Sequence, residues 1–391
     1  MYKKIVFYIF LLGFTFFTIE FLAYGIGLVL AGKGYLYRPS KIVTATHVKD
    51  YNDYLSYRDN VLGWPPPKRF GKGHLDLSGS RRVPAFDDPA KYKSCVSLYG
   101  ESFTQGGEVD DEHAWGNLLS NLLSCRVANY GIGGYGTDQA YLRFKHNNKD
   151  EANLVILGYM SENIERNLTR VRDLLTAEQS FALKPRFVLN KQGNLELIPL
   201  PDLSEHTYQQ LLGIQSPILE LENENFYPGG PAHTTLFQFP YTYTLIKNMN
   251  YFRIRAKLAG RPWYSEFYTE NHPFKGLEIT VEIIKAFVNE AKQKDKLSLV
   301  LLFPMAEDLT FYRKVHYWTY ENLIKALDTN KIPYLNFGPH LLEQTTNNNL
   351  QKFFAPRGHY NEEGNRILAG FVYAYLKNLP NLTNPVLPVN P

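Results

Sequence analysis

Among 391 residues only two are cysteine, Cys95 and Cys125. That is too few for a disulfide-built scaffold or a thiolate zinc centre. Histidines are weakly spaced, so no metal site is expected. Asp110-Asp111-Glu112-His113 has the letters of a metal cluster, but acids at a helix start ordinarily serve the helix dipole. Charge of one sign is also missing. The formal net charge is +4, the cations are scattered, and no basic run tracks a phosphate backbone, so nucleic acid is not an expected partner. No glycine loop followed by Lys cradles a phosphate. Gly131 to Gly136 opens a helix but lacks the acid that would hold a ribose, and no cofactor is expected. No internal repeat is apparent.

A long hydrophobic run is present at the amino terminus. Ile5 to Ile19 carry no charge, Glu20 interrupts, and Phe21 to Ala31 are again uncharged. About 20 apolar residues cross a bilayer, so residues 5–31 can span it with tilt. Lys3 and Lys4 favour a cytoplasmic amino terminus. A cleaved signal peptide is the rival; the run is long for a signal core, and Ala31-Gly32-Lys33 is a poor cleavage site. The expectation is a single-pass anchor over residues 1–33, with the rest of the chain periplasmic or at the cell surface. Glu20 is costly in lipid, so it faces a partner such as a second membrane protein, pairs, or lies protonated toward the outer interface; the plain reading is a tolerated acid in a single anchor. Outside the cytoplasm the two cysteines can pair if their apolar runs form neighbouring parallel strands; otherwise they are buried thiols acting as small apolar residues.

Residues 34–90, rich in Pro, Gly, Tyr and Arg around Trp64-Pro65-Pro66-Pro67, read as an irregular lead-in. Strand and helix signals then alternate over 91–391. Strands are expected at 94–99, 126–130, 153–158, 297–303 and 332–337. Helices are expected at 112–124 (capped by Asp110 or Asp111), 137–147 (capped by Thr137 or Asp138), 276–293, 318–328 and 362–378. This repetition predicts an α/β fold, three layers with a central parallel sheet covered by helices on both faces. Residues 165–270 break the rhythm with prolines, aromatics, a hairpin around Lys191-Gln192-Gly193-Asn194 and a turn at Tyr227-Pro228-Gly229-Gly230-Pro231. They read as an insertion on the active edge of the sheet, too aromatic for disorder.

Four short stretches fall at strand ends, which share one rim in a parallel sheet. They are Gly100-Glu101-Ser102-Phe103-Thr104, Asn129 to Gly134, Ser161-Glu162-Asn163-Ile164 and Gly358-His359-Tyr360-Asn361. Gly100 lets the chain turn sharply before Ser102. A serine in such a turn is otherwise a local hydrogen-bonding cap. Acyl transfer needs a hydroxyl, a base and oxyanion donors. Ser102, His359, the amides of Ser102 and Gly134 and the side chain of Asn163 supply all three.

As an ordered set these stretches resemble the SGNH (GDSL-like) hydrolase family over roughly residues 92–167 and 295–378. The resemblance implies a flavodoxin-like sheet, Ser102 as nucleophile, His359 as base, and Ser102, Gly134 and Asn163 as the oxyanion hole. Two positions depart from the family pattern. Glu101 stands where the family usually has Asp. The family's triad acid precedes its histidine by three residues, and that position is Pro356 here, followed by Arg357 and Gly358. A backbone carbonyl or an acid from elsewhere must therefore orient His359. The expected activity is a membrane-anchored serine esterase acting on an O-acetyl ester of a carbohydrate or lipid. The alternatives are an O-acyltransferase for a cell-surface polysaccharide, a scaffold for a membrane acyltransferase, and an inactive module that binds in the same pocket.

Overall fold

The computed structural model describes residues 2–32, 36, 48–65, 75–175, 183–213, 224–226, 232, 237–249, 251–345 and 349–379. The turn expected at 227–231, Lys33 and much of the lead-in lie outside them. The chain divides into two units: Met1–Tyr54 with Thr169–Leu183 and Pro201–Trp263, and Leu55–Leu168 with Lys184–Leu200 and Tyr264–Pro391.

Among the described residues the second unit holds seven strands: β1 (Ser94–Tyr99), β2 (Arg126–Asn129), β3 (Leu154–Met160), β4 (Arg186–Leu189), β5 (Leu195–Ile198), β6 (Leu297–Phe303) and β7 (Tyr334–Asn336). Five form a sheet in the order β2-β1-β3-β6-β7, and every pairing is parallel. β3 is buried along its whole length, as is β6 from Leu299 to Phe303. Strands covered on both faces read as continuous apolar runs, which is why both were legible in the sequence. β4 and β5 form the expected antiparallel hairpin, its turn closed by Gly193 at φ +80°.

From β1 the chain crosses to β2 at one edge and returns past it to β3. Right-handed crossovers then put the helices Trp115–Leu123 and Thr137–His146 on opposite faces. Trp115–Leu123 packs against Glu362–Leu376, and Thr137–His146 against Gly276–Gln293. The last of these buries Leu277, Ile279, Ile283, Ile284, Phe287 and Ala291, an apolar stripe at helical spacing. The strand order reverses between β1 and β3, the place at whose carboxyl ends doubly wound sheets bind ligands.

Two expected caps are not the ones used. The helix expected from residue 112 begins at Trp115, after Ala114. Asp110 instead accepts the His113 amide at 3.0 Å, and Asp111 pairs with Arg81 at 2.8 Å. The next helix starts after Gly136. Its first amides, from Thr137 and Asp138, donate to Asn167 Oδ1 at 3.1 and 3.4 Å. The cap comes from a loop thirty residues away, which local spacing cannot show.

In the first unit Tyr2–Gly32 is one helix, long and apolar enough to cross a membrane. Most of its side chains are exposed, but Glu20, Ala23 and Gly27 are buried. Glu20 accepts hydrogen bonds from the Tyr241 amide at 2.5 Å and the Thr242 amide at 3.2 Å. These are the first amides of the helix Tyr241–Asn248. The acid offered by the sequence as a contact for another membrane protein is thus engaged inside the chain. A Cβ on Gly27 would lie 1.8 Å from Phe237 Cζ, so only glycine lets that ring reach the helix. Tyr24 packs on Tyr241, ring centroids 4.8 Å apart.

Candidate active site

Ser102 begins the short helix Ser102–Gln105 directly after β1. Gly100 is needed for close approach, not for an unusual φ: a Cβ there would meet Thr104 Oγ1 at 2.0 Å and the Gly158 carbonyl of β3 at 2.9 Å. The helix ends at Gly106, left-handed at φ +75°, and the amides of Gly106 and Gly107 both donate to the Ser102 carbonyl at 3.0 Å. This is a glycine C-terminal stop, and it folds the following segment back toward the serine.

His359 lies between Gly358, at φ +90°, and Tyr360, whose hydroxyl donates to the Pro304 carbonyl after β6 at 2.8 Å. The imidazole packs on Phe103, centroids 5.2 Å apart. Its Nε2 lies 2.7 Å from Ser102 Oγ. The two side chains are separated by 257 residues of sequence.

The group on the other imidazole nitrogen is Glu108. Its carboxylate bonds His359 Nδ1 and accepts the amides of His359 and Arg357 at 3.3 Å each. The Glu108 side chain is 7% exposed. Burial pushes its carboxyl up, but the bonds from His359 and the Arg357 amide outweigh this and leave it below the usual carboxylate range. The acid sought beside the histidine sits instead six residues beyond the serine, brought there by the Gly106 stop. The sequence signal was a carboxylate directly after Gly106-Gly107.

The glycine-rich loop after β2 is tied to the serine turn. Asn129 Nδ2 donates to the Thr104 carbonyl at 2.7 Å, the Gly133 amide to Gln105 Oε1 at 2.9 Å, and the Ile132 amide to the Gly100 carbonyl at 3.1 Å. Gly134, at φ +91°, follows directly. The Ser102 amide, at the first position of a helix, lies outside the helix's own bonding ladder. Asn163 begins the short helix after β3, and its Nδ2 donates to Glu101 Oε2 at 3.1 Å. Glu101 is fully buried, and its Oε1 has no hydrogen-bond partner among the described residues. Burial pushes its carboxyl up to about 7, against the pull of Arg166 and the Asn163 bond.

Arg81, from the lead-in, braces the segment between the serine and Glu108. It donates to the carbonyls of Gln105 at 2.6 Å, Gly106 at 2.8 Å and Val109 at 2.8 Å, and pairs with Asp111. Cys95 and Cys125, left open by the sequence, form a disulfide across the β1–β2 pair, Cα atoms 6.1 Å apart. Among the described residues no group of three or more His, Cys, Asp or Glu side chains is arranged to hold a metal ion.

No protein-family model matches this chain, and no curated protein matches it. Solved structures do. A member of the lipolytic protein G-D-S-L family from Veillonella parvula is 12% identical over 73% of this chain and 98% of its own, with a TM-score of 0.36. An acetyl xylan esterase is 14% identical over 72% of this chain and 98% of its own, TM-score 0.36. A two-domain esterase active on acetylated mannans is 12% identical over 75% of this chain and 53% of its own, TM-score 0.33. These are distant likenesses.

Proposed function

We propose that this chain is a serine esterase that cleaves an acyl ester through a covalent acyl-enzyme. The observation that carries the reading is the line Ser102 Oγ, His359 and Glu108: hydroxyl to Nε2 at 2.7 Å, and Nδ1 to a buried carboxylate. Nδ1 donates to Glu108, which fixes the tautomer whose Nε2 accepts a proton. Ser102 Oγ attacks the ester carbonyl carbon while its proton passes to Nε2. Negative charge gathers on the former carbonyl oxygen. The amides of Ser102 and Gly134 and the Asn163 amide group are the donors assigned to it. The intermediate then collapses, His359 returns the proton to the leaving alcohol, and the acyl group stays on Ser102. Water attacks next, giving its proton to Nε2 and releasing the acid and free serine.

The acyl group we assign is acetyl and the leaving alcohol a carbohydrate or lipid hydroxyl, a reading supported by the aromatic content of residues 165–270. We place the catalytic unit outside the cytoplasm, anchored by the amino-terminal helix. The Cys95–Cys125 disulfide supports this, because such bonds persist in oxidising compartments. The test is hydrolysis of an activated acetyl ester by the full chain in detergent, with labelling of Ser102 by a serine-reactive phosphonate. The full chain should turn over and label, and Ser102→Ala should do neither. Equal turnover by Ser102→Ala would remove the serine from the mechanism. Intact ligand binding without labelling of the parent would make the site a binding module.

A further inference from the structure

The amino-terminal helix is not the only apolar surface of the first unit. On Tyr241–Asn248 and its flanks, Phe239, Tyr243, Ile246 and Met249 are exposed, Ile246 by 67%. Tyr243, Ile246 and Met249 recur every three residues, which sets them along one face of the helix, and Phe239 stands just before its cap, edge-on to Phe16 of the amino-terminal helix. The opposite side carries buried Thr244 and Asn248, and Tyr241 and Leu245 pack with Tyr24, Leu30 and Phe237 against the amino-terminal helix. The next helix, Phe252–Leu258, exposes Leu258 by 73%.

Charge around this face is one-sided. From Asn225 to Ser265 the sequence holds no Asp or Glu but five cations: Lys247, Arg253, Arg255, Lys257 and Arg261. Lys247, Arg255, Lys257 and Arg261 are exposed. An exposed apolar stripe fringed by Lys and Arg is the composition of a helix lying in a membrane interface, where cations meet anionic headgroups and their stems cover lipid.

Depth agrees. Glu20 stands about 24 Å along the helix from Lys4, at 1.5 Å per residue, against a hydrocarbon core of about 30 Å. A carboxylate there, and the unbonded amides of a helix start there, are each costly alone. The bonds from the Tyr241 and Thr242 amides to Glu20 satisfy both groups at once.

We propose that residues 237–261 form a second membrane contact: a helix seated in the leaflet where the anchor leaves the bilayer. Its Tyr243–Ile246–Met249 face lies in acyl chains, and its cations lie among anionic headgroups. This rests on the reading of the amino-terminal helix as a membrane span, and the test separates the two. The full chain is reconstituted in vesicles of phosphatidylcholine and phosphatidylglycerol, with or without bromine on the acyl chains. Tryptophan emission is compared for the parent, Leu22→Trp on the anchor, and Ile246→Trp and Tyr243→Trp on the second helix. All three added tryptophans should lose most of their emission to brominated lipid. Loss by Leu22→Trp alone would overturn the second contact while leaving the anchor standing. Loss by none would overturn the anchor and the second contact together.

Discussion

Glu108 and Glu101 are both buried acids within a few residues of Ser102, yet their environments push them in opposite directions. Glu108 is held ionised by the imidazole and two amides. Its removal leaves His359 without an orienting partner. Glu108→Gln should lower kcat/KM by about 10³- to 10⁴-fold, the scale seen when a triad acid loses its charge, and stopped assays on a folded variant would check it. A carboxyl held below its unfolded value contributes stability at neutral pH and loses it only as pH falls through the depressed value. The Ser102–His359–Glu108 arrangement should therefore survive mild acid. Glu101 runs the other way. Its carboxyl titrates near 7 in the fold against about 4.3 in an unfolded chain. Its ionisation costs almost nothing at pH 4, and the cost grows as pH rises to about 7 and then levels at about 4 kcal/mol. Glu101→Gln removes that cost. In urea titrations the variant should gain on the parent between pH 5 and pH 8, and parallel pH profiles would refute this account.

At the scale of elements, the serine turn is braced from outside itself. Arg81 spends its guanidinium on three carbonyls and one carboxylate around residues 105–111. It holds the Ser102–Glu108 segment without touching the serine. Arg81→Ala should lower kcat by about 10- to 100-fold, the cost of a displacement near 1 Å, with KM little changed. Arg81→Lys keeps the charge but not the planar fork and should stay close to the alanine variant. Full recovery with lysine would mean that only charge mattered. Such bracing explains what could be read from the sequence. β1, β3 and β6 announce themselves as apolar runs, and the β4–β5 hairpin by its Gly193 turn. The Asn167 cap, the Arg81 brace and the Glu108 contact join groups from separate segments, and no local spacing encodes them. The helices Ala306–Val315 and Phe337–Glu343 were not expected either. Each follows its strand almost at once, and Phe337-Gly338-Pro339 reads locally as a turn although Pro is tolerated in the first turn of a helix.

At the scale of the whole molecule, the sheet unit carries one covalent tie, Cys95–Cys125, with a sequence separation of 30. Closing a loop of that length restrains the unfolded chain by about 3–4 kcal/mol. Reduction, or Cys95→Ser with Cys125→Ser, should lower the unfolding free energy by up to that amount. Denaturant titration with and without reductant would measure it. Fold class was legible at this scale because alternating strands and helices leave few ways to cover a parallel sheet. The pairing of Ser102 with His359 was expected from two strand ends on one rim, but only Ser102 follows its strand directly; His359 comes after β7, the helix Phe337–Glu343 and the turn Leu350–Phe353, just before the last helix. The third member, Glu108, was not expected, because it travels with the nucleophile. That placement has a consequence of its own. Hydroxyl and carboxylate ride on one short span closed by Gly106, and the imidazole arrives alone from the far end of the chain. A protease nick at the exposed residues Asp110 or Glu112 would leave both companions of the ring on the same side of the cut, still tied to the other side by Cys95–Cys125, so such a cut would shift hydroxyl and carboxylate together rather than one at a time.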